Sequence, residues 1–202
     1  MFKLKIWNNN IIFNANKKLF SPNHADKGTL LMLKNIDLKY DYKVLDLGCG
    51  YGLVGIAIAK VIGGINVYMV DKDELAIESS RINSFENGVS NVNIKLGESP
   101  VVFDIKNFSL ILCNPPYHSD FSTAKIFIEK GFQQLKNGGR MIFVVKRLNW
   151  YKNKLKSVFG GVKIIKEDNY YILISEKRNL PNKSKEIKKT TKKHLKKLQR
   201  NK

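Results

Sequence analysis

The sequence has few acidic residues for its size. It holds 36 Lys and Arg residues against 17 Asp and Glu residues, which gives a net charge of +19 and a pI near 9.9. A surface with so much positive charge favours an anionic partner over a cationic one. RNA, DNA and anionic lipid are the candidates.

The sequence also contains only two cysteines, Cys49 and Cys113. Their spacing fits neither a metal-ligand cluster nor a disulfide framework. We therefore predict two reduced thiols near strand ends, no metal site and a cytoplasmic location.

A long hydrophobic run is missing too. The first residues, Met-Phe-Lys-Leu-Lys-Ile-Trp, lack the sustained apolar segment of a signal peptide. The longest apolar stretch, residues 53–70, is interrupted by Lys60, by Gly63 and Gly64 and by Asn66, so a helix, a turn and a strand explain it better than a membrane span. We expect a soluble protein with no membrane partner, and a monomer.

A chain of 202 residues suits one domain that buries about 70% of its surface. We predict a single domain over residues 1–176, in which a small hairpin over residues 1–20 precedes the main sheet. Residues 177–202 form a basic tail with twelve Lys or Arg residues and one Glu. The tail is either disordered and solvated or a basic helix, and we predict that it contributes to binding nucleic acid.

The most informative stretch is residues 43–52, Lys-Val-Leu-Asp-Leu-Gly-Cys-Gly-Tyr-Gly. A short apolar run breaks into three alternating glycines, and an apolar helical pattern begins at Leu53. This pattern predicts a buried strand, a glycine loop and a helix. Glycines let a ligand approach the backbone, and the free N–H groups of a helix start attract negative charge. We infer a site for a nucleotide-like molecule, although a tight turn without a ligand would have a similar sequence.

Residues 50–55 also match the dinucleotide fingerprint G-x-G-x-x-G, and Asp71 follows at the expected distance. However, the strand of that fingerprint runs apolar into its first glycine, whereas Asp46 and Gly48 interrupt this one. A carboxylate at a strand end needs a polar partner, which a cationic ligand would supply. Residues 46–52, D-x-G-x-G-x-G, resemble instead the first motif of class I S-adenosylmethionine-dependent methyltransferases.

Strands and helices alternate along the rest of the chain. This order indicates an α/β Rossmann-like fold, with a mostly parallel seven-stranded sheet, helices on both faces and an antiparallel C-terminal strand pair. Before the sheet we expect a helix capped by Thr29. The strands are predicted at residues 44–47, 65–70, 92–96, 108–113, 141–145, 162–165 and 170–174, with later helices at about 72–86, 119–136 and 150–159.

Four polar residues stand where predicted strands end: Asp46, Asp71, Glu98 and Asn114. Ligands of such sheets bind at the carboxyl ends of the strands, so we expect these side chains to converge. Asp71 suits the two hydroxyls of a ribose, although it could equally cap the next helix. Glu98 or the neighbouring Ser99 could contact an adenine ring, or could belong to an ordinary turn.

The loop Asn114-Pro115-Pro116-Tyr117 has the most function-specific sequence. A planar exocyclic amine is a poor nucleophile, because its lone pair is delocalised into the ring. The Asn114 side-chain oxygen and the Pro115 carbonyl could accept its two hydrogens and favour a tetrahedral nitrogen, while the prolines hold the loop still. Tyr117 offers a face on which a base can stack. A rigid turn with a core tyrosine is the alternative.

Three segments together resemble the methyltransferase small domain family. They are the loop over residues 20–29, Phe-Ser-Pro-Asn-His-Ala-Asp-Lys-Gly-Thr, the glycine loop, and residues 114–118, Asn-Pro-Pro-Tyr-His. The similarity covers about residues 1–176, and members of the family resemble the bacterial small-subunit ribosomal RNA guanine-N2 methyltransferases. The basic tail lies outside the family pattern, and the extra amino-terminal copy of the fold seen in two-domain members is not recognised.

The resemblance implies S-adenosylmethionine as cofactor and methylation of an exocyclic amine, with guanine N2 of small-subunit rRNA as the target. Its catalytic residues would be Asn114, Pro115 and Tyr117, and its substrate-binding residues Pro116, Tyr117 and His118, with no general base required. Its cofactor-binding residues would be Asp46, Gly48, Cys49, Gly50, Asp71, Lys72, Glu98, Ser99 and Asn114. Adenine-N6 methylation, protein glutamine methylation and a non-catalytic role in ribosome assembly remain as alternatives.

Overall fold

The computed structural model describes residues 1–19, 21–115 and 121–178. In chain order, its strands are β1 (Phe2–Ile6), β2 (Asn9–Phe13), β3 (Val44–Leu47), β4 (Val67–Asp71), β5 (Asn93–Leu96), β6 (Phe108–Cys113), β7 (Leu135–Val145), β8 (Lys163–Glu167) and β9 (Tyr170–Glu176). Its α-helices are α1 (Lys27–Lys34), α2 (Leu53–Ile62), α3 (Glu74–Glu86), α4 (Phe121–Gln134) and α5 (Leu148–Phe159), and a 3₁₀ helix covers Pro100–Phe103. Within the described residues, every helix is too short or too polar to cross a membrane.

Seven strands form the main sheet in the order β5-β4-β3-β6-β7-β9-β8, while β1 and β2 pair as a separate antiparallel hairpin. The strands β3 to β7 run parallel, and β9 is antiparallel to both β7 and β8. The central strands β3 and β6 are buried along their whole length, which explains their apolar sequences. The predicted fold class is confirmed.

Alternate residues of each strand point to opposite sides of the sheet, so both faces present apolar side chains. Helices cover both faces and bury these side chains. The helices α1, α2 and α3 pack with the hairpin against one face, and α4 and α5 pack against the other. Along β3, Val44 contributes to the first core and Leu45 and Leu47 to the second. Asp46 alternates with these two leucines, so it points toward α2.

Two predicted element boundaries were wrong. Asp26, not Thr29, caps α1, and its side chain accepts a hydrogen bond from the Thr29 N–H at 2.9 Å. The helix α4 ends at Gln134, and the predicted helix stop at residues 137–139 lies within β7. The cause is the end of β9: Gly138 N–H donates to the Lys177 carbonyl and Lys177 N–H donates to the Gly139 carbonyl, which draws these residues into the sheet.

The hairpin is fixed to the domain by two buried asparagines of the α3 region. Asn87 accepts a hydrogen bond from Ile12 N–H at 3.0 Å and donates to the Ile12 carbonyl at 2.7 Å, so its amide mimics a neighbouring strand. Asn83 accepts from Asn14 N–H at 2.8 Å and donates to the Tyr51 carbonyl at 2.8 Å. The Asn83 amide therefore joins the residue that follows β2 to the glycine loop.

Asn87→Ala should lower the free energy of unfolding by about 2 kcal/mol, because it leaves both backbone groups of Ile12 without their partner. Urea denaturation measures this loss. The control is Asn10→Ala, which removes an exposed asparagine from the same hairpin and should cost less than about 0.5 kcal/mol. Equal losses in the two variants would show that the Asn87 amide does not hold the hairpin.

Candidate active site

The carboxyl ends of β3, β4, β5 and β6 meet at one edge of the sheet, called here the carboxyl edge. The strand β3 lies between β4 and β6, so the strand order reverses beside it and opens a crevice at this edge. The glycine loop follows β3, Asp71 ends β4, and Asn114 follows β6. The structure thus places at one edge three groups that are far apart in sequence.

The glycines of the loop have two different tasks. Gly48 and Gly50 have φ angles of +74° and +55°, and a Cβ on Gly50 would meet no atom within 4 Å. Gly52, with φ of +93°, is enclosed: a Cβ there would lie 2.8 Å from Ile56 Cδ1 and 2.9 Å from Met69 Cε. The first two glycines leave open space for a ligand, whereas Gly52 is required for the packing of loop against core.

The loop is held by backbone hydrogen bonds to the next strand. Gly48 N–H and Cys49 N–H donate to the Val70 carbonyl at 2.9 and 3.1 Å, and Gly50 N–H donates to Asp71 Oδ2 at 2.9 Å. These hydrogen bonds restrain the loop without any contact from a ligand, and such a restraint lowers the entropy cost of binding.

Both cysteines are free and buried. Burial raises the pKa of the Cys49 and Cys113 thiols well above the ordinary range, and the negative charges of Asp46 and Asp71 raise it further. Both side chains stay protonated at neutral pH, so neither is a nucleophile. At Cys49 it is the backbone, rather than the sulfur, that suits a ligand contact.

Asp46 is 2% exposed, and its Oδ2 accepts a hydrogen bond from the Gly55 N–H at 3.0 Å. Burial raises the pKa of this carboxyl from 3.8 to about 7, and the charge of Asp71 adds to the effect, while the Gly55 bond opposes it. Ionising a buried carboxyl costs free energy, and a positive charge nearby would offset that cost, so Asp46 favours a cationic ligand.

Asp71 is partly exposed at the end of β4. Its Oδ2 accepts from Gly50 N–H, and its Oδ1 accepts from Asp73 N–H at 3.1 Å. The cap of α3 is Asp73, whose side chain accepts from Leu75 N–H at 2.9 Å, so the interpretation of Asp71 as a helix cap was wrong. Each Asp71 oxygen retains a further lone pair for a ligand hydroxyl.

The other residues assigned to the cofactor lie on the rim of this crevice. Lys72 and Glu98 are exposed, and Ser99 caps the 3₁₀ helix by accepting from Val101 N–H at 3.4 Å. Within the described residues, none of these three side chains forms a hydrogen bond or ion pair with Asp46 or Asn114, and their assignment stays a prediction.

The side chain of Asn114 is held by hydrogen bonds of its amide nitrogen. Its Nδ2 donates to Asp26 Oδ2 at 2.9 Å and to Thr29 Oγ1 at 2.7 Å. Its Oδ1 is buried and accepts no hydrogen bond within the described residues. The only other buried side-chain atom of this kind in that part of the chain is Gln134 Oε1, at the end of α4. A buried acceptor without a donor costs free energy, so a ligand that donates a hydrogen bond to Asn114 Oδ1 would be stabilising. This atom is the strongest candidate for a ligand contact in the site.

The rest of this loop is described only in part. Pro115 is buried directly after Asn114. Pro116, Tyr117 and His118 lie outside the described residues, as do Phe20 and the tail from residue 179 onward. Their predicted roles remain predictions.

The sequence interpretation missed Asp26 and Thr29 as partners of Asn114. Both residues are in the loop that carried the family resemblance, but they precede Asn114 by 88 and 85 positions. A local pattern gives no signal for a contact of that separation. Within residues 1–19, 21–115 and 121–178, no three His, Cys, Asp or Glu side chains are grouped closely enough to hold a metal ion.

Comparisons with known proteins agree with this geometry. The family model of the methyltransferase small domain matches residues 10–175. The chain is 32% identical over 162 residues to Ribosomal RNA small subunit methyltransferase C of Psychromonas ingrahamii, and 30% identical over 165 residues to Ribosomal RNA large subunit methyltransferase G of the same organism. These alignments cover 78% and 77% of this chain but 46% and 43% of the relatives, so the chain spans about half their length.

Among solved structures, the chain is similar to the T. thermophilus 16S rRNA N2 G1207 methyltransferase in complex with AdoMet and guanosine. The TM-score is 0.77 at 25% sequence identity, over 88% of this chain and 50% of that one. The predictions of the family and of S-adenosylmethionine as the family's cofactor are thereby confirmed. The match of the family model to most of the chain, on a sheet with this strand order and glycine loop, shows that the chain belongs to the methyltransferase small domain family.

Proposed function

We propose that this chain transfers a methyl group from S-adenosylmethionine to the exocyclic N2 amine of a guanine in small-subunit ribosomal RNA. The observation that carries the proposal is the buried Asn114 Oδ1, which has no hydrogen-bond donor within the described residues. An amine is the ligand that this atom suits, because it supplies a donor where the protein leaves an acceptor.

The acceptor also suits the chemistry. The nitrogen of an aromatic amine gains positive charge as its lone pair leaves the ring, so a fixed oxygen beside it binds the transition state more tightly than the ground state. Asn114 Oδ1 and the Pro115 carbonyl would accept its two hydrogens. The methylated ammonium is acidic enough to lose its proton to water, so His118 has no required role as a base.

The residues that would hold the cofactor fit it. The chemistry that S-adenosylmethionine supplies is an electrophilic methyl group on a sulfonium. Gly48 and Gly50 leave open space at the crevice, Asp71 keeps lone pairs for ribose hydroxyls, and the buried Asp46 carboxylate favours a cation nearby. Lys72, Glu98 and Ser99 are available on the rim.

Positive charge around the carboxyl edge supports an RNA substrate. Lys146 and Arg147 follow directly after β7, with Lys146 Nζ 5.1 Å from the ring centre of Tyr170 and the Arg147 guanidinium carbon 4.7 Å from that of Phe121. Phe121 in turn stacks on Trp150 at 4.3 Å. These cations are held on aromatic rings beside the site, where an RNA backbone would pass.

The decisive test is the identity of the product. Ribosomal subunits and bare rRNA from a strain that lacks this chain are incubated with the purified protein and S-adenosylmethionine, and the nucleosides are analysed by mass spectrometry. We expect N2-methylguanosine in small-subunit RNA, formed about 10²- to 10³-fold more slowly by the Asn114→Ala variant. N6-methyladenosine would support the adenine alternative. A methylated product found only in large-subunit RNA would show that the target is not in the small subunit. No methylated product in any RNA would refute the proposal.

Asp71→Ala should weaken the binding of S-adenosylhomocysteine by at least tenfold, because it removes the proposed ribose acceptor and one anchor of Gly50. Calorimetric titration measures this affinity. Asp73→Ala is the matched control, since it removes a neighbouring aspartate that only caps α3. It should lower stability by about 1 kcal/mol and leave the affinity unchanged. Binding of NADH in place of S-adenosylhomocysteine would overturn the cofactor assignment.

Deleting residues 179–202 should weaken RNA binding without changing which nucleotide is modified. Lys177 anchors the start of the tail by donating to the Leu135 carbonyl at 2.7 Å, at the amino end of β7. Because Leu135 pairs with Phe108 at the start of β6, this point is about 20 Å from Asn114 along the strand. The tail therefore starts away from the base site, and we expect it to raise affinity without selecting the base.

If about four tail charges meet phosphates, raising salt from about 50 to 200 mM should reduce the tail's share of binding about 50-fold. Filter binding at several salt concentrations gives the slope. A control tail of equal length, with Ser in place of Lys and Arg, should behave like the deletion. An unchanged slope in both variants would show that the tail does not touch the RNA.

A further inference from the structure

An asparagine amide can present either its oxygen or its nitrogen to a ligand, because the two orientations have nearly the same shape. Only the oxygen can accept hydrogens from a target amine, whereas the Nδ2 group would repel them. The orientation of the Asn114 amide therefore decides whether this residue assists the reaction or blocks it. The protein must supply the force that selects one orientation.

The contacts of Asn114 Nδ2 supply that force. Asp26 Oδ2 lies 2.9 Å away and Thr29 Oγ1 lies 2.7 Å away. A carboxylate can only accept hydrogen bonds, so turning the amide around would place Asn114 Oδ1 against Asp26 Oδ2 and oppose two acceptors. The proposed orientation thus follows from the chemistry of Asp26 as well as from the geometry.

Asp26 and Thr29 are themselves held firmly. They are 9% and 6% exposed, and Asp26 Oδ2 also accepts from the Thr29 N–H at 2.9 Å. Tyr170 packs against the turn between them so closely that a Cβ on Gly28 would lie 2.7 Å from Tyr170 Cε1. The start of α1 therefore carries a rigid pair of acceptors to the end of β6.

We propose that Asp26 and Thr29 are positioning residues, which lock the Asn114 amide so that Oδ1 faces the target amine. This inference rests on the proposed function, since it assigns the purpose of the Asn114 oxygen. The negative charge of Asp26 on the amide nitrogen also polarises the amide and makes Oδ1 a stronger acceptor. Neither residue touches the reacting atoms.

Asp26→Ala is the sharpest variant. It removes the one oxygen, Asp26 Oδ2, that accepts from both Thr29 N–H and Asn114 Nδ2. Without this acceptor the Asn114 amide can turn around, and the single-turnover rate should fall about tenfold or more, toward the loss expected for a preorganised hydrogen bond to the transition state. Asp26→Asn is the conservative comparison: an amide oxygen in the Oδ2 position keeps both bonds, so this variant should retain most of the rate.

Thr29 offers a graded comparison. Thr29→Val keeps the shape but removes the hydroxyl acceptor, and the rate should fall about fivefold because Asp26 still holds the amide. Thr29→Ser restores the hydroxyl and should recover most of the rate. S-adenosylhomocysteine affinity should change little in all of these variants, because the cofactor crevice is retained. Asp26→Ala also loses the cap of α1, which should cost about 1 kcal/mol of stability. Asp73→Ala, which removes the cap of α3, should lose similar stability without losing rate.

A double-mutant cycle separates positioning from an independent role. If Asp26 acts through Asn114, Asp26→Ala combined with Asn114→Ala should be no slower than Asn114→Ala alone. Additive losses, or a full rate in Asp26→Ala while Asn114→Ala is slow, would overturn the inference and leave the proposed function standing. Full activity of Asn114→Ala would instead refute the amine mechanism on which both depend.

Discussion

Replacing Asn114 with alanine should reduce the single-turnover rate of methyl transfer about 10²- to 10³-fold. The Asn114 oxygen is held in place before the substrate binds, so its loss removes a preorganised dipole that strengthens as the amine nitrogen becomes positive. The measurement is a single-turnover assay on a guanine-containing rRNA fragment. Binding of S-adenosylhomocysteine, followed by calorimetry, shows whether the crevice survives.

The control for this variant is Asn93→Ala. Like Asn114, Asn93 donates two hydrogen bonds through Nδ2, in this case to the Ile65 and Val67 carbonyls at 3.0 and 3.2 Å. It lies at the amino end of β5, away from the carboxyl edge, so its loss should affect stability and not the rate. If Asn114→Ala were as active as Asn93→Ala, the amine-methylation mechanism would be wrong.

Two further changes at the site sharpen the mechanism. Asn114→Asp should also be slow, because its carboxylate would lie against Asp26 Oδ2, at the 2.9 Å now bridged by an N–H donor. His118→Ala should cost less than about tenfold, since the product ammonium can lose its proton to water. A large loss in His118→Ala beside normal activity in Asn114→Asp would indicate a general-base mechanism instead.

Replacing Asp46 with asparagine should stabilise the protein at pH 8 relative to the wild type, in the absence of cofactor. Burial raises the pKa of Asp46 in the folded protein to about 7, against 3.8 for an ordinary carboxyl. Between these values the folded state holds a proton that the unfolded state has lost, so the wild type loses stability as pH rises from about 4 to 7. Asparagine resembles the neutral acid and has no charge to bury, so the stability of the variant should not fall with pH in this way.

The difference between the two proteins should change by about 1.4 kcal/mol per pH unit in this window, up to about 4 kcal/mol in total. Urea unfolding from pH 4 to pH 8 measures it. Asp37→Asn is the control, because Asp37 is exposed and 3.9 Å from Arg140, and its curve should follow the wild type within about 0.5 kcal/mol. Parallel curves for Asp46→Asn and the wild type would show that Asp46 is charged in the fold at acidic pH.

The same variant should bind S-adenosylhomocysteine more weakly at pH 8. A buried carboxylate that lowers stability is retained where its charge serves a ligand, and S-adenosylhomocysteine still carries the ammonium of its amino-acid part, which this group can stabilise. Tighter binding in Asp46→Asn would argue against that role.

The sequence by itself determined the fold class and predicted where the cofactor would bind. A strand that is buried on both faces must be apolar along its whole length, so β3 and β6 were visible as short apolar runs. The glycine loop is a local feature too, because positive φ angles at Gly48, Gly50 and Gly52 require glycine whatever surrounds them. Asp46 and Asp71 followed from their places at strand ends.

Only the tertiary structure decided how these parts are held. The sequence between residues 134 and 140 has a typical helix stop, but backbone hydrogen bonds with Lys177 draw it into the sheet as part of a strand. Asn83 and Asn87 join the hairpin to α3 through contacts across 69 and 75 positions. Asp26 and Thr29 orient Asn114 across 88 and 85 positions. Periodicity and propensity describe neighbours along the chain, whereas the partner of a buried amide is set by which elements pack together, and that packing exists only in the folded protein.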